Sequence, residues 1–182
     1  NKSNVYYQSI NAGIGGYTTF HQVEIFEDQV NTIDPDMVVL QYFINDAEDK
    51  SSGGSSTIFR YSLLAATIHS FYNSIFFKAT GSLEDYYSKM YENESIGWKK
   101  TKKSINKLGE ICREREIPLI ALFVPDFHHL SSEDPYMLIY QKIFRTFKEA
   151  QIPLFNTLPG LQEEFGSNPR KAWVSSDDVH PN

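Results

Sequence analysis

The chain ends in residues whose types and spacing suit proton transfer. In the closing stretch SSDDVHPN, Asp177 stands three residues before His180, and Pro181 follows directly. A turn over three residues can bring a carboxylate to the imidazole Nδ1–H, which fixes the tautomer and leaves Nε2 as a base. The proline biases the histidine backbone toward an extended conformation. We therefore predict that Asp177 and His180 are the acid and the base of a catalytic triad, with Asp178 as the alternative carboxylate.

Two other stretches carry groups that can stabilise a developing negative charge. In NAGIGGYTT, the glycines at 13, 15 and 16 allow a tight turn and leave backbone N–H groups uncovered ahead of a helix. Asn45 ends an apolar run, where its amide is a neutral donor. Each feature has a plainer alternative: a simple strand-to-helix turn for the glycines, and a turn closed with Asp46 for the asparagine.

These groups need elements that position them, and the apolar pattern predicts strands alternating with helices. Four short apolar runs indicate strands: NVYYQSI, MVVLQYFI, IPLIALFV and IPLFNTL. Because three of the runs are continuously apolar and all alternate with helical patterns, we expect a parallel sheet whose strands are covered on both faces. The sequence therefore predicts an α/β fold.

Three helical patterns lie between or beside these runs. The first follows GYTT, with a threonine cap. The second is an apolar stripe at three-to-four spacing between Trp98 and Cys112. The third begins near SSEDPYM, with Ser132 or Asp134 as cap. Their inward-facing residues are, in order, Val23, Phe26 and Val30; Trp98, Ile105, Leu108, Ile111 and Cys112; and Tyr136, Ile139, Tyr140, Ile143, Phe144 and Phe147.

The chemistry-bearing stretches all follow predicted strands. The first strand runs into NAGIGGYTT, the second into INDAED and the third into PDFHHL, and SSDDVHPN follows the last after a loop. Ligands bind at the carboxyl ends of the strands in open α/β sheets, so we expect these stretches to share one rim. His128 and His129, in PDFHHL, are interpreted either as a rim feature that contacts substrate or as surface residues.

Three of these blocks, in this order, resemble those of the SGNH hydrolases, also called the GDSL esterase/lipase family. NAGIGGYTT is similar to the family's glycine block, with Gly16 at the oxyanion-hole glycine. FINDAED is similar to the Gly-x-Asn-Asp block, with Asn45 matching and Phe43 where the family usually has glycine. DDVHPN is similar to the closing Asp-x-x-His block, with Asp177 and His180 in the triad positions. The resemblance implies a three-layer α/β/α, flavodoxin-like parallel sheet, with an oxyanion hole formed by Gly16 and Asn45.

The family's Gly-Asp-Ser nucleophile block has no counterpart in this sequence. The resemblance implies that the nucleophilic serine and a central strand precede Asn1, and that a last helix follows the closing motif. We therefore expect residues 1–182 to be one SGNH-hydrolase-like domain truncated at both ends, and marginally stable in isolation.

The implied activity is that of a serine-type ester hydrolase working through an acyl-enzyme, without a metal or another cofactor. The substrate would be a small-molecule or carbohydrate ester, which leaves a carbohydrate O-acetyl esterase and a lipase-like acylhydrolase open. Tyr86, Tyr87, Tyr91 and Trp98 are interpreted either as a sugar platform or as helix-packing aromatics. Two other functions stay open: an O-acyltransferase acting on polysaccharide, and a non-catalytic flavodoxin-like binding domain.

Composition excludes some classes of function. The net charge of -6 argues against a nucleic-acid partner, because nucleic-acid-binding domains usually carry basic patches. No run of about 18 apolar residues occurs, so no transmembrane segment is expected. The single cysteine, Cys112, cannot form a disulfide within the chain, and its helical stripe predicts a buried thiol.

Overall fold

The computed structural model describes residue 6 and residues 8–49, 82–130, 133–175 and 178–181. Of residues 174, 175 and 178–181 it describes the backbone. The main elements in this part of the chain are α1 (Thr19–Ile33), β1 (Val38–Phe43), α2 (Leu83–Met90), α3 (Ile96–Glu114), β2 (Leu119–Val124), α4 (Met137–Glu149), β3 (Leu154–Asn156), α5 (Leu158–Phe165), β4 (Trp173–Ser175) and β5 (Asp178–Pro181). Two 3₁₀ turns, Ile44–Ala47 and Pro169–Ala172, complete them.

A three-stranded parallel sheet in the order β1-β2-β3 organises the chain. Val38 pairs with Leu119 and Phe43 with Val124, while Ala121 pairs with Leu154 at the other edge of β2. These strands are three of the four predicted from the sequence. Together with the helices between them they confirm the α/β class.

The helices bury one face of this sheet. Leu40 and Tyr42 on β1 lie level with Ala121 and Phe123 on β2, and all four are buried. The ring of Phe147 on α4 meets Tyr42 edge-on at 5.4 Å. Both crossovers step in the same direction across the sheet, so right-handed connections put α3 and α4 on the same side.

The other face of the sheet is open among the described residues. Val39 on β1 is 57% exposed and Phe155 on β3 is 60% exposed. The described residues therefore show one helical layer, and the expected cover on both faces stays a prediction. The physical reason for the single layer is the common direction of the two crossovers, which gives both helices to one layer.

The predicted helical stripes are confirmed. Val23 and Val30 are buried on α1, and the predicted positions of α3 and α4 are buried or packed against the core. At the start of α1, the Thr18 N–H donates to Nδ1 of His21, as in a capping box with histidine at the third position. Before α4, Oδ1 of Asp134 accepts a 2.8 Å bond from the Tyr136 N–H, while Ser132 lies outside the described residues.

The strand predicted at NVYYQSI is wrong for the residues that are described. Tyr6 and residues 8–10 have no regular secondary structure, and Tyr6 is 91% exposed. A strand needs a neighbour to pair its backbone groups, and no described strand lies beside this segment. Apolar composition alone was therefore insufficient.

No helix in the described ranges has both the length and the apolarity needed to cross a lipid bilayer.

Candidate functional site

Asn45 lies on a short turn directly after β1. The chain leaves the strand at Phe43 and forms the 3₁₀ turn Ile44–Ala47. Oδ2 of the buried Asp46 accepts a 2.9 Å bond from the Phe43 N–H, which closes the turn. Asn45 itself is half-buried at the carboxyl end of the strand. The predicted position of Asn45 at this end is confirmed, and so is the turn formed with Asp46.

Groups from distant parts of the chain hold this turn in place. The Tyr91 hydroxyl donates to the carbonyl of Ile44 at 2.7 Å and lies 2.8 Å from the Tyr42 hydroxyl. The Thr101 hydroxyl donates to the carbonyl of Asp46 at 3.3 Å. Burial raises the pKa of both tyrosines well above its ordinary value, so both hydroxyls stay protonated. The backbone that carries Asn45 is therefore preorganised.

A close helix approach adds to this support. Gly97, in the first turn of α3, lies so near the asparagine turn that an added Cβ would overlap the carbonyl oxygen of Ala47 and lie 2.8 Å from the backbone nitrogen of Asp49. Only glycine fits without a shift of one backbone or the other. No local pattern predicts this requirement, because it depends on a contact between segments about 50 positions apart.

The glycine-rich loop before α1 is exposed and turns at Gly16. This glycine has φ 82°, a left-handed conformation that favours glycine, and the Tyr17 N–H bonds to the carbonyl of Ile14 at 3.0 Å. Gly13 N–H bonds to Oδ1 of Asn11 at 2.9 Å. The prediction of a tight turn ahead of a helix is confirmed, and the positive φ explains why glycine stands at position 16.

The segments that follow the glycine loop and the asparagine turn border one small cleft. Thr18 and His21, from the start of α1, line it on one side, and Glu48 and Asp49, just beyond the asparagine turn, line it on the other. Lys100 of α3 also lines it and pairs with Asp49 at 3.0 Å. The cleft therefore begins two residues after Gly16 on one segment and three residues after Asn45 on the other.

Only the backbone of the closing motif is described, and only in part. Asp177 and the side chains of Asp178 and His180 lie outside what the structure describes. The backbone of His180 is in β5, which pairs with β4 in an antiparallel hairpin where Pro181 lies opposite Trp173. The geometry of the Asp177–His180 pair thus stays a prediction.

Trp173 ties this hairpin to the carboxyl end of β2. Its Nε1–H donates a 3.0 Å bond to the carbonyl of Phe127, a buried residue three positions beyond the strand. Since Trp173 also pairs with Pro181, the chain next to His180 is anchored at the same end of the sheet as Asn45.

An aspartate–histidine pair that sequence reasoning missed lies at the exit of β2. Oδ1 of Asp126 accepts bonds from the backbone N–H of His128 at 2.8 Å and from its Nδ1 at 2.9 Å. Asp126 is 1% exposed, whereas the side chain of His128 is 37% exposed. The Asp-x-His spacing could have signalled the pair, since a carboxylate two residues before a backbone N–H commonly closes a turn.

The aromatic group considered as a sugar platform serves mainly as core. Tyr87, Tyr91 and Trp98 are buried, and the rings of Tyr91 and Trp98 pack at 4.8 Å. Tyr86 is half-buried, and its hydroxyl donates to Oε1 of Glu48 at 2.6 Å. The helix-packing interpretation is therefore the correct one for the three buried rings, as is the prediction of a buried Cys112.

The described side chains contain no group of three or more histidine, cysteine, aspartate or glutamate residues placed to hold a metal ion. Comparisons of the chain with models of known protein families, with curated proteins and with solved structures found no match. The chemistry therefore has to be inferred from the rim itself: a glycine turn, an amide on a rigid turn, a histidine-bearing hairpin and an oriented imidazole.

Proposed function

We propose that this chain is part of a serine-type ester hydrolase with an SGNH-like, flavodoxin-like α/β/α fold that works through an acyl-enzyme. The nucleophile would be a serine in a block preceding residue 1, on a strand pairing with the free edge of β1. The substrate would be a small-molecule or carbohydrate ester. No cofactor takes part in this scheme.

One observation carries the proposal: the start of α1, which follows the glycine loop, and the residues just after the asparagine turn line a single cleft near the carboxyl end of β1. Backbone and side-chain donors that converge on one point are what an oxyanion hole requires. The hydrogen bonds from Tyr91 and Thr101 to the asparagine turn support the proposal further, because a donor accelerates acyl transfer only if it is held in place beforehand.

In the proposed mechanism, the serine hydroxyl attacks the ester carbonyl while Nε2 of His180 takes its proton. The imidazolium, stabilised by Asp177, then returns the proton to the leaving alcohol as the tetrahedral intermediate collapses to the acyl-serine. Water repeats the sequence and releases the acid. The Gly16 N–H and the Asn45 amide would donate to the oxyanion in both steps.

The free edge of β1 supports the proposed additional strand. The N–H of Val38 bonds to the carbonyl of Pro118, so alternate residues of β1 direct their backbone groups toward β2. The residues between them, such as Val39 and Gln41, direct theirs the other way, where no described strand lies. Such groups normally find a partner in the folded protein.

The test uses the full-length protein and a fluorophosphonate, which labels activated serines covalently. We expect one serine to be labelled, together with hydrolysis of short-chain esters, and both to be lost in His180→Ala and Asp177→Ala. A wild-type protein that neither reacts with the probe nor hydrolyses any ester would refute the proposal. Transfer of the acyl group to an added polysaccharide in preference to water would favour the acyltransferase alternative.

A further inference from the structure

The Asp126–His128 pair fixes the tautomer of an imidazole at the rim. A carboxylate only accepts hydrogen bonds, so Nδ1 of His128 must carry its proton in the 2.9 Å bond to Asp126. Nε2 is on the opposite side of the ring from this buried carboxylate, and the side chain of His128 is 37% exposed. In the neutral ring it is therefore an acceptor of defined direction.

The imidazole lies against the hairpin that carries His180. Its ring meets that of Trp173 at 5.7 Å in an edge-to-face arrangement, and Trp173 is the residue opposite Pro181. The guanidinium of Arg170 lies 5.7 Å from the centre of the indole ring. An oriented acceptor, an aromatic ring and a cation thus lie together next to the proposed catalytic histidine.

We propose, on the basis of the ester hydrolase function above, that Nε2 of His128 accepts a hydrogen bond from a hydroxyl group on the alcohol part of the substrate. The leaving alcohol takes its proton from His180 in this scheme, and the ring of His128 packs on Trp173 of the hairpin that carries His180. Esters of polyhydroxylated alcohols would then be preferred over esters of alcohols without a second hydroxyl. His128 is a specificity-determining residue in this scheme, and Asp126 is its positioning residue.

The alternative is a purely structural role, in which the bond from His128 to Asp126 only stabilises the turn after β2. Two substitutions separate the roles. In His128→Asn the amide nitrogen takes the place of Nδ1, so the bond to Asp126 is kept and Nε2 is lost. In His128→Gln the amide reaches the place of Nε2, so its oxygen can accept from the substrate.

The experiment compares kcat/KM for glycerol monoacetate with kcat/KM for ethyl acetate in the full-length protein. We expect the ratio to fall about three- to tenfold in His128→Asn, the value of one hydrogen bond, and to recover in part in His128→Gln. His129→Asn is the matched control and should leave the ratio unchanged, since the ring of His129 packs on the buried Tyr136 instead.

Four outcomes would overturn the inference. An unchanged ratio in His128→Asn, or one equally low in His128→Gln, would remove the substrate contact. An equal loss of kcat/KM on both esters would show that His128 has only a structural role. If the wild-type protein hydrolyses neither ester nor any other, the ester hydrolase function itself fails and this inference fails with it, which differs from hydrolysis with an unaltered preference.

Discussion

The hydroxyl of Tyr91 donates a 2.7 Å hydrogen bond to the backbone carbonyl of Ile44, the residue immediately before Asn45. Because that hydroxyl's proton is used in this bond, the 2.8 Å contact with Tyr42 must have Tyr42 as donor. A two-step chain of hydrogen bonds thus runs from the core face of the sheet to the turn that carries the proposed oxyanion donor.

Removing the Tyr91 hydroxyl, which takes part in both hydrogen bonds, should lower the free energy of unfolding more than removing the Tyr42 hydroxyl, which takes part in one. Tyr91→Phe leaves both the Ile44 carbonyl and the Tyr42 hydroxyl buried without a partner, and we expect a loss of about 2–3 kcal/mol of unfolding free energy. Tyr42→Phe keeps the bond to Ile44, so about 1 kcal/mol is expected. Urea denaturation of the full-length protein would measure both, and equal losses would contradict the proposed direction of the chain.

The close approach of α3 to the asparagine turn predicts a glycine requirement. Gly97→Ala should destabilise the protein by about 1–3 kcal/mol, because the new methyl group would overlap the Ala47 carbonyl and one backbone must move. Gly160→Ala is the matched control. Its Cβ would meet nothing within 4 Å on α5, so the helical preference for alanine should stabilise it by up to about 1 kcal/mol. Thermal or urea unfolding distinguishes the two, and a tolerated Gly97→Ala would disprove the contact.

The proposed oxyanion role predicts a kinetic effect at Asn45. Asn45→Ala should lower kcat of the full-length protein by about 10²–10³, with a small change in KM, because the lost bond forms mainly in the transition state. Asn31→Ala provides the control. Asn31 lies in the last turn of α1, at the opposite end of that helix from the cleft, and its amide oxygen accepts a surface bond from Arg115. Steady-state hydrolysis of a short-chain ester is the measurement, and an unaltered kcat would remove Asn45 from the site.

Asp134 predicts a dependence of stability on pH. Burial raises the pKa of its carboxyl above the ordinary value of 3.8, so between the unfolded and the folded pKa the folded state binds more protons than the unfolded state. This contribution to stability is present at low pH and is lost as the pH rises through that interval. Wild type should therefore lose stability relative to Asp134→Asn as the pH is raised above about 4. Parallel profiles in urea denaturation would show that burial does not perturb this carboxyl.

Sequence patterns predicted the main strands and helices better than the details of the site. The strands at Val38–Phe43 and Leu119–Val124 and the stripe of α3 follow from apolar periodicity, which directly reflects burial. The segment around Tyr6 also carries apolar residues, yet it forms no strand where it is described, since pairing depends on a neighbour as well as on composition.

The site was predictable where a local rule applied. The left-handed backbone at Gly16 and the turn closed by Asp46 are properties of a few consecutive residues. The bonds from Tyr91 and Thr101, the requirement at Gly97 and the hairpin anchor at Trp173 join segments far apart in the chain. No periodicity or motif encodes such contacts, so only the three-dimensional structure reveals them.

The supports of the asparagine turn also bear on the order in which the protein folds. The partners of Ile44 and Asp46 come 47 and 55 positions later in the chain, so each bond closes a long loop whose entropy must be lost first. Contacts between residues so far apart in the sequence generally form late in folding. During synthesis, Asn45 would leave the ribosome well before the residues that immobilise it, and the reactive rim would acquire its final shape only after α3 has docked.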